Sequence, residues 1–158
     1  MTNNKKPCAE NDYLSEYAKL MIWSYSHWTG KALVKQEQTG EDLYRALFYA
    51  SYALVAHNTE VDPIFNYGNQ TALDVFEMDW SEFTRLASRK SAETVNRPER
   101  EKLIARVSKH GFIDDYRGIR ISSTGRRFMI EDATVWNIID EKGVYYGQAA
   151  VFYKWLQL

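Results

Sequence analysis

The sequence predicts an α+β domain: one five-stranded antiparallel sheet with helices on one face, preceded by additional N-terminal helices. Three observations predict it. Apolar residues recur at helical spacing in two N-terminal segments and again over 97–109. Short apolar runs at 52–57 and 63–67 read as strands, and so does the long stretch from 112 to 155. Two turns, Ser123-Thr124-Gly125 and Asp140-Glu141-Lys142-Gly143, cut that stretch into a meander. Two strands, a helical middle and three more strands can close into one layer that the middle helices cover.

Each element has a local reason. Residues 1–10 read as a disordered tail, 11–50 as N-terminal helices and 51–158 as the core of a single domain. From Asp12 to Trp28, Leu14, Tyr17, Ala18, Met21 and Tyr25 keep one helical face, and Thr29-Gly30 ends it. A second helix starts at Thr39, with Glu41 and Asp42 where the helix dipole favours acids. Gly68 permits a bend after the second strand, and Asn69 is placed to cap a helix over Gln70–Phe76. Asp79 with Glu82, and Asn96 with Glu99, repeat the capping pattern, the latter with Pro98 in the permissive first turn. The helix from Arg97 to Lys109 carries Leu103, Ile104 and Val107 on one face and is closed by Gly111.

The bulk numbers narrow the function. With 158 residues, 45% hydrophobic and 15% aromatic, the chain can bury a real core. No apolar run approaches the ~20 residues that span a bilayer. The start MTNNKKPCAEND lacks the apolar segment of a secretory signal. The single cysteine, Cys8, admits no internal disulfide. A cytoplasmic protein without membrane contact is expected. Net charge is −1, but residues 85–127 hold 12 basic and 5 acidic side chains. Arg89, Lys90, Arg97, Arg100, Arg120, Arg126 and Arg127 are candidates to gather phosphates, from nucleic acid or from an anionic metabolite. The interleaved Glu99, Glu101, Asp114 and Asp115 argue against nucleic acid as a partner. Arg117 and Arg120 have a second option, cross-strand pairing with Glu131 or Asp132.

The order of elements matches the PAS fold. IFNYGNQTALDVF followed by MDWSEF resembles its strand, helix-start Asn and short helix pair, RISSTGRRFMI resembles its hairpin between the third and fourth strands, and GVYYGQAAVF resembles its last strand. HNTEVDPIFNYGNQTALDVFEMDWSEF, SAETVNRPER, GFIDDYRGIRISSTGRRFMIEDATVWNIID and YYGQAAVF look like stand-alone bacterial members of the PAS-like MEKHLA domain family. That resemblance covers roughly 27–155. It implies a fold and brings no agreed activity. The family also occurs at the C-terminus of plant class III homeodomain-leucine zipper proteins, but the literal string MEKHLA, a homeodomain and a zipper are absent, so the plant proteins' DNA-binding role is not carried over.

Within that frame, Gln148 sits at a last-strand position that contacts ligands in several PAS domains, flanked by the small Gly147, Ala149 and Ala150. The small residues serve equally for close helix packing. Trp136 offers an aromatic wall and Asn137 a polar anchor, but strand alternation sends them to opposite faces. Asn66, Phe65 and Phe128 complete the candidate ligand-binding set. His57, Glu60 and Asp62 are close enough in sequence to consider for a cation, although a solvated turn is the default, and no metal is assigned. The segment that carries the flavin-reactive cysteine in photosensing PAS domains has none here, so no cysteinyl-flavin adduct is expected. Haem on His110 is not expected either, because that residue ends its helix. No nucleophile, base and orienting group can be read as a set.

Three readings follow. One is a sensor that binds an unknown small molecule between sheet and helices and signals through a partner. Another is a ligand-free interaction module, homodimerising through the N-terminal helix residues Tyr13, Leu14, Tyr17, Met21, Trp23 and Trp28. The last is a small enzyme using the same cavity. An interior filled by Phe65, Phe128, Trp136 and Phe152 favours the module, a void beside Gln148 favours the ligand, and His57 or His110 beside carboxylates favours the enzyme.

Overall fold

The computed structural model describes residues 5–35 and 39–158. A left-handed turn at Asp12, Tyr13 and Leu14 leads into α1, Ser15–Thr29, and α2 spans Gly40–Phe48. Strands β1 (Ala53–His57) and β2 (Phe65–Gly68) precede α3 (Gln70–Phe76) and α4 (Trp80–Phe83). After short 3-10 turns comes α5 (Arg97–His110), then β3 (Phe112–Ile121), β4 (Arg127–Ile139), β5 (Tyr145–Phe152) and β6 (Lys154–Gln157). The sheet order is β2-β1-β5-β4-β3, all antiparallel, with β6 also on β4. The early strand β1 and the late strand β5 therefore pair in the centre of the sheet.

Three local details differ from the sequence reading. The last strand breaks at Tyr153, and β6 continues along β4 where β5 leaves off. Asp132 takes a positive φ of 50° in β4 near the same point, so both strands bend together. At α5, Asn96 supplies no side-chain cap; it belongs to a preceding 3-10 turn. Residues 5–10 are not a tail. Pro7 is buried and the Lys6 ammonium lies 5.6 Å from the Phe48 ring centre. Residues 1–4 of that expected tail lie outside the described residues.

The helices α3 to α5 lie across one face of the sheet, and α1 covers the other. Neighbouring residues of β4 show the division. Trp136 Nε1 donates to Ser24 Oγ of α1 at 3.0 Å, and its ring meets Tyr25 edge-on at 4.9 Å. Asn137 Nδ2 instead donates to Val107 O of α5 at 3.0 Å. Tyr13, Met21 and Tyr25 are buried in the chain's own core, so the N-terminal helix spends most of its apolar stripe on its own sheet. Ser24→Ala would leave the buried Trp136 N–H without an acceptor. A loss of about 1–2 kcal/mol is expected, readable as a lower urea midpoint with an unchanged slope. No loss would mean that α1 is not an integral layer. No helix among the described residues is long and apolar enough to cross a membrane.

Asn69 is the joint between β1, β2 and α3. Its Oδ1 accepts from Ala72 N and Leu54 N, both at 3.0 Å, and its Nδ2 donates to Tyr52 O at 2.9 Å and Leu47 O at 3.3 Å. It therefore caps the helix and ties α2 and the start of β1 to it.

Candidate functional site

Between the sheet and α5 lies a cavity of about 80 Å³. Its apolar wall includes Val55, Phe65, Phe76, Leu103, Val135 and Phe152. Its polar wall includes His57, Ser88, Arg100, Tyr116, Arg120 and Gln148. These come from five elements. His57, Gln148 and Asn137 are register partners across β1, β5 and β4, so they share the inner face. Gly147 makes the approach of β5 to β1 possible. It holds φ at +125°, and a Cβ there would lie 2.0 Å from the His57 carbonyl oxygen.

The polar groups form one network. Gln148 Nε2 donates to Asn137 Oδ1 at 3.1 Å and to Ser108 Oγ at 3.2 Å. Its Oε1 is buried and faces the His57 ring without a hydrogen bond of normal geometry among the described residues. His57 Nδ1 is 3.1 Å from Ser88 Oγ, and Arg100 donates to that same oxygen. A hydroxyl that accepts from Arg100 keeps its own proton for Nδ1, which leaves the ring N–H on Nε2. Burial, then the Arg100 charge, bring the His57 pKa down to about 4, with the facing Gln148 amide a small opposing influence. The imidazole is thus neutral at pH 7.

Two guanidinium groups enter the cavity from the other side. Arg100 is 5% exposed and Arg120 is 7% exposed. Arg100 also donates to Glu101 Oε1 at 2.9 Å, while Arg120 donates to Ile119 O at 2.9 Å and lies 5.5 Å over the Tyr116 ring. Burial lowers the Arg100 pKa; Glu101 opposes this and the Arg120 charge adds to it. Arg120 therefore does not pair with Glu131 or Asp132. Three other arginines of the basic region point outward: Arg89 binds Asp62, Arg127 binds Glu93, and Arg126 is 3.9 Å from Glu77.

The candidate residues separate accordingly. Gln148 and Phe65 line the cavity. Phe128 is fully buried behind it, its ring 5.2 Å from that of Phe76. Trp136 is on the opposite face under α1, so Asn137 is the member of that pair that reaches the site. Asn66 also faces away, sharing a surface groove with Tyr17 of α1. His57 turns inward while Asp62 turns out to Arg89, so the cation cluster does not assemble. Among the described residues no three His, Cys, Asp or Glu side chains could hold a metal. His110 is exposed at the end of α5.

Arg100 and Arg120 were missed as site residues, although both carried a signal. Arg100 precedes Leu103 by three and Val107 by seven, which puts it on the apolar stripe of α5. Arg120 is in phase with the buried Tyr116 and Gly118.

The MEKHLA domain family matches residues 15–157. The chain belongs to that family. A curated relative, homeobox-leucine zipper protein ATHB-14 of Arabidopsis thaliana, is 28% identical over 150 residues, covering 89% of this chain and 17% of the relative. This MEKHLA chain thus spans about a sixth of the length of that relative. Among solved structures, one described as "Flavin Analogue Sheds Light on Light-Oxygen-Voltage Domain Mechanism" superposes with a TM-score of 0.59 at 16% identity, covering 73% of this chain and 84% of that one. The PAS domain of a protein from Colwellia psychrerythraea gives 0.59 at 14% identity, covering 68% and 88%. The fold is therefore that of PAS and light-oxygen-voltage domains.

Proposed function

We propose that this MEKHLA domain is a non-enzymatic sensory module. It binds a small molecule between the sheet and α5 and passes its occupancy to a protein partner or a second copy. The observation that carries this reading is the cavity itself, where the polar side chains of Ser88, Arg100 and Gln148 converge and Phe65, Phe76 and Phe152 leave space unfilled. Such concave, mostly apolar sites with a few convergent polar groups are where ligands bind. His57 faces Arg100 and Ser88, with no carboxylate hydrogen-bonded to it among the described residues, which does not make an acid–base pair. The cavity is well below the roughly 300 Å³ at which drug-sized ligand pockets begin, which supports a compact ligand over a flavin. The stand-alone bacterial type and a cytoplasmic location belong to the same proposal, on the residue strings and on composition.

Occupancy has a mechanical route. Asn137 holds Val107 O of α5 and Gln148 Nε2 at once, so a ligand that engages Gln148 shifts the docking of α5 by its differential affinity for the two positions. Native mass spectrometry of freshly purified protein, with an absorption spectrum, tests the reading. A copurified small molecule is expected, and it should vanish in Ala150→Leu, which adds bulk to the cavity wall. Ligand retained in a folded Ala150→Leu protein would place binding elsewhere.

A further inference from the structure

The cavity carries a charge imbalance that its own residues do not resolve. Arg100 and Arg120 are both nearly buried, and both line the same space. Among the described residues, the only carboxylate in salt-bridge distance of either is Glu101, whose side chain is 65% exposed and which touches Arg100 from the rim. Arg120 has a backbone carbonyl and the face of Tyr116. Glu99 is taken up by the Tyr116 hydroxyl, at 3.4 Å. His57 adds no negative charge and no proton sink, since it faces Ser88, Arg100 and Gln148. A buried cation without a partner is costly, and buried charges are ordinarily paired. Opposite the arginines the wall is hydrocarbon: Phe76, Leu103, Val135 and Phe152.

We propose that the cavity takes a small organic carboxylate with a short apolar chain, its head between Arg100 and Arg120 and its chain against Phe76 and Phe152. This rests on the ligand-binding reading above and names the chemistry of the ligand. Guanidinium groups present planar paired donors that match a carboxylate, which a neutral ligand does not use. Size sets the chain length. A cavity of about 150 Å³ accommodates benzene, so one of about 80 Å³ suits an acid of only a few carbons. The buried Gln148 oxygen offers an acceptor for a hydroxyl on such a chain.

The test uses the full chain with straight-chain carboxylates from acetate to hexanoate, the matched primary amides, and inorganic phosphate. Titration calorimetry and thermal melting are the readouts. One carboxylate, of intermediate length, is expected to bind one per chain and raise the melting temperature. Its amide should bind at least tenfold more weakly. Arg100→Met and Arg120→Met should each weaken the carboxylate at least tenfold and bring acid and amide to similar affinity. Because removing a buried charge can stabilise a fold, circular dichroism should show both variants folded. Arg120→Lys, which keeps the charge and loses the fork, covers the case where a methionine variant fails to fold; it is expected to keep part of the preference. Equal affinity for acid and amide in the native protein, with both lost in Ala150→Leu, would overturn the carboxylate inference while leaving the ligand reading standing. Phosphate binding as well as the best acid would overturn the requirement for an apolar chain. Absence of any binding, together with no copurified molecule, would remove both.

Discussion

Asn69→Ala is expected to cost about 4 kcal/mol of stability, the largest effect of any single substitution considered. Four backbone groups would lose a partner at once: the N–H of Ala72 and of Leu54, and the carbonyls of Tyr52 and Leu47, of which the last keeps the Ala50 N–H at 3.4 Å. Each buried group left unpaired costs about 1–3 kcal/mol, and the cap alone contributes about 1. The loss is a large share of the 5–15 kcal/mol that holds an ordinary domain together. Asn69→Asp separates the two halves of the role. It keeps the acceptor for Ala72 and Leu54 but turns a carboxylate toward two carbonyls, so it should be no better than alanine. Urea unfolding of the three proteins measures this. A loss near 1 kcal/mol for alanine would mean that Asn69 is only a helix cap.

That residue also shows where a sequence stops being legible. The cap was readable, because Asn69 and Ala72 are three positions apart and the turn is local. The bonds to Leu54, Tyr52 and Leu47 were not, since nothing local announces which distant backbone group will come near. The order of strands and helices was readable throughout the meander because turns and alternation are local too. Alternation put Trp136 and Asn137 on opposite faces, as the structure has them, but did not say which of the two meets the site. Both faces of the sheet are covered, one by α1 and one by α5, so burial no longer distinguishes inside from outside. The break at Tyr153 lies in the run AAVFYKWL, where no turn residue marks it. Charge was the least legible of all. Seven basic residues read as one region, yet the fold turns Arg89 and Arg127 to the surface, onto Asp62 and Glu93, and buries Arg100 and Arg120. Composition counts charges; only the phase of each residue in its helix or strand says which way it faces.

The second large effect is a pH dependence of stability set by His57. Its pKa is about 4 in the folded protein against 6.5 in the unfolded chain, because burial and the Arg100 charge both oppose protonation. Between those values the unfolded chain binds a proton that the folded one refuses, so stability rises with pH there. The contribution is complete above pH 6.5 and is lost as pH falls toward 4. At about 1.4 kcal/mol per pKa unit, it amounts to about 3 kcal/mol across the window. The groups that face His57 are Ser88, Arg100 and Gln148, and none can compensate an imidazolium charge with a negative one. The depressed carboxylates Asp62, Glu77, Glu93 and Asp140 act lower, since their ordinary values lie at 4.5 or below. Urea unfolding at pH 7 and pH 4.5 should therefore show a steep loss in the native protein and a much shallower one in His57→Gln, which cannot titrate. Arg100→Met should narrow the window from its acid side, because one of the two causes of the shift has gone. Parallel pH profiles for native and His57→Gln protein would refute the buried neutral imidazole, and with it the picture of a cavity whose fixed charges, among the described residues, are its two arginines.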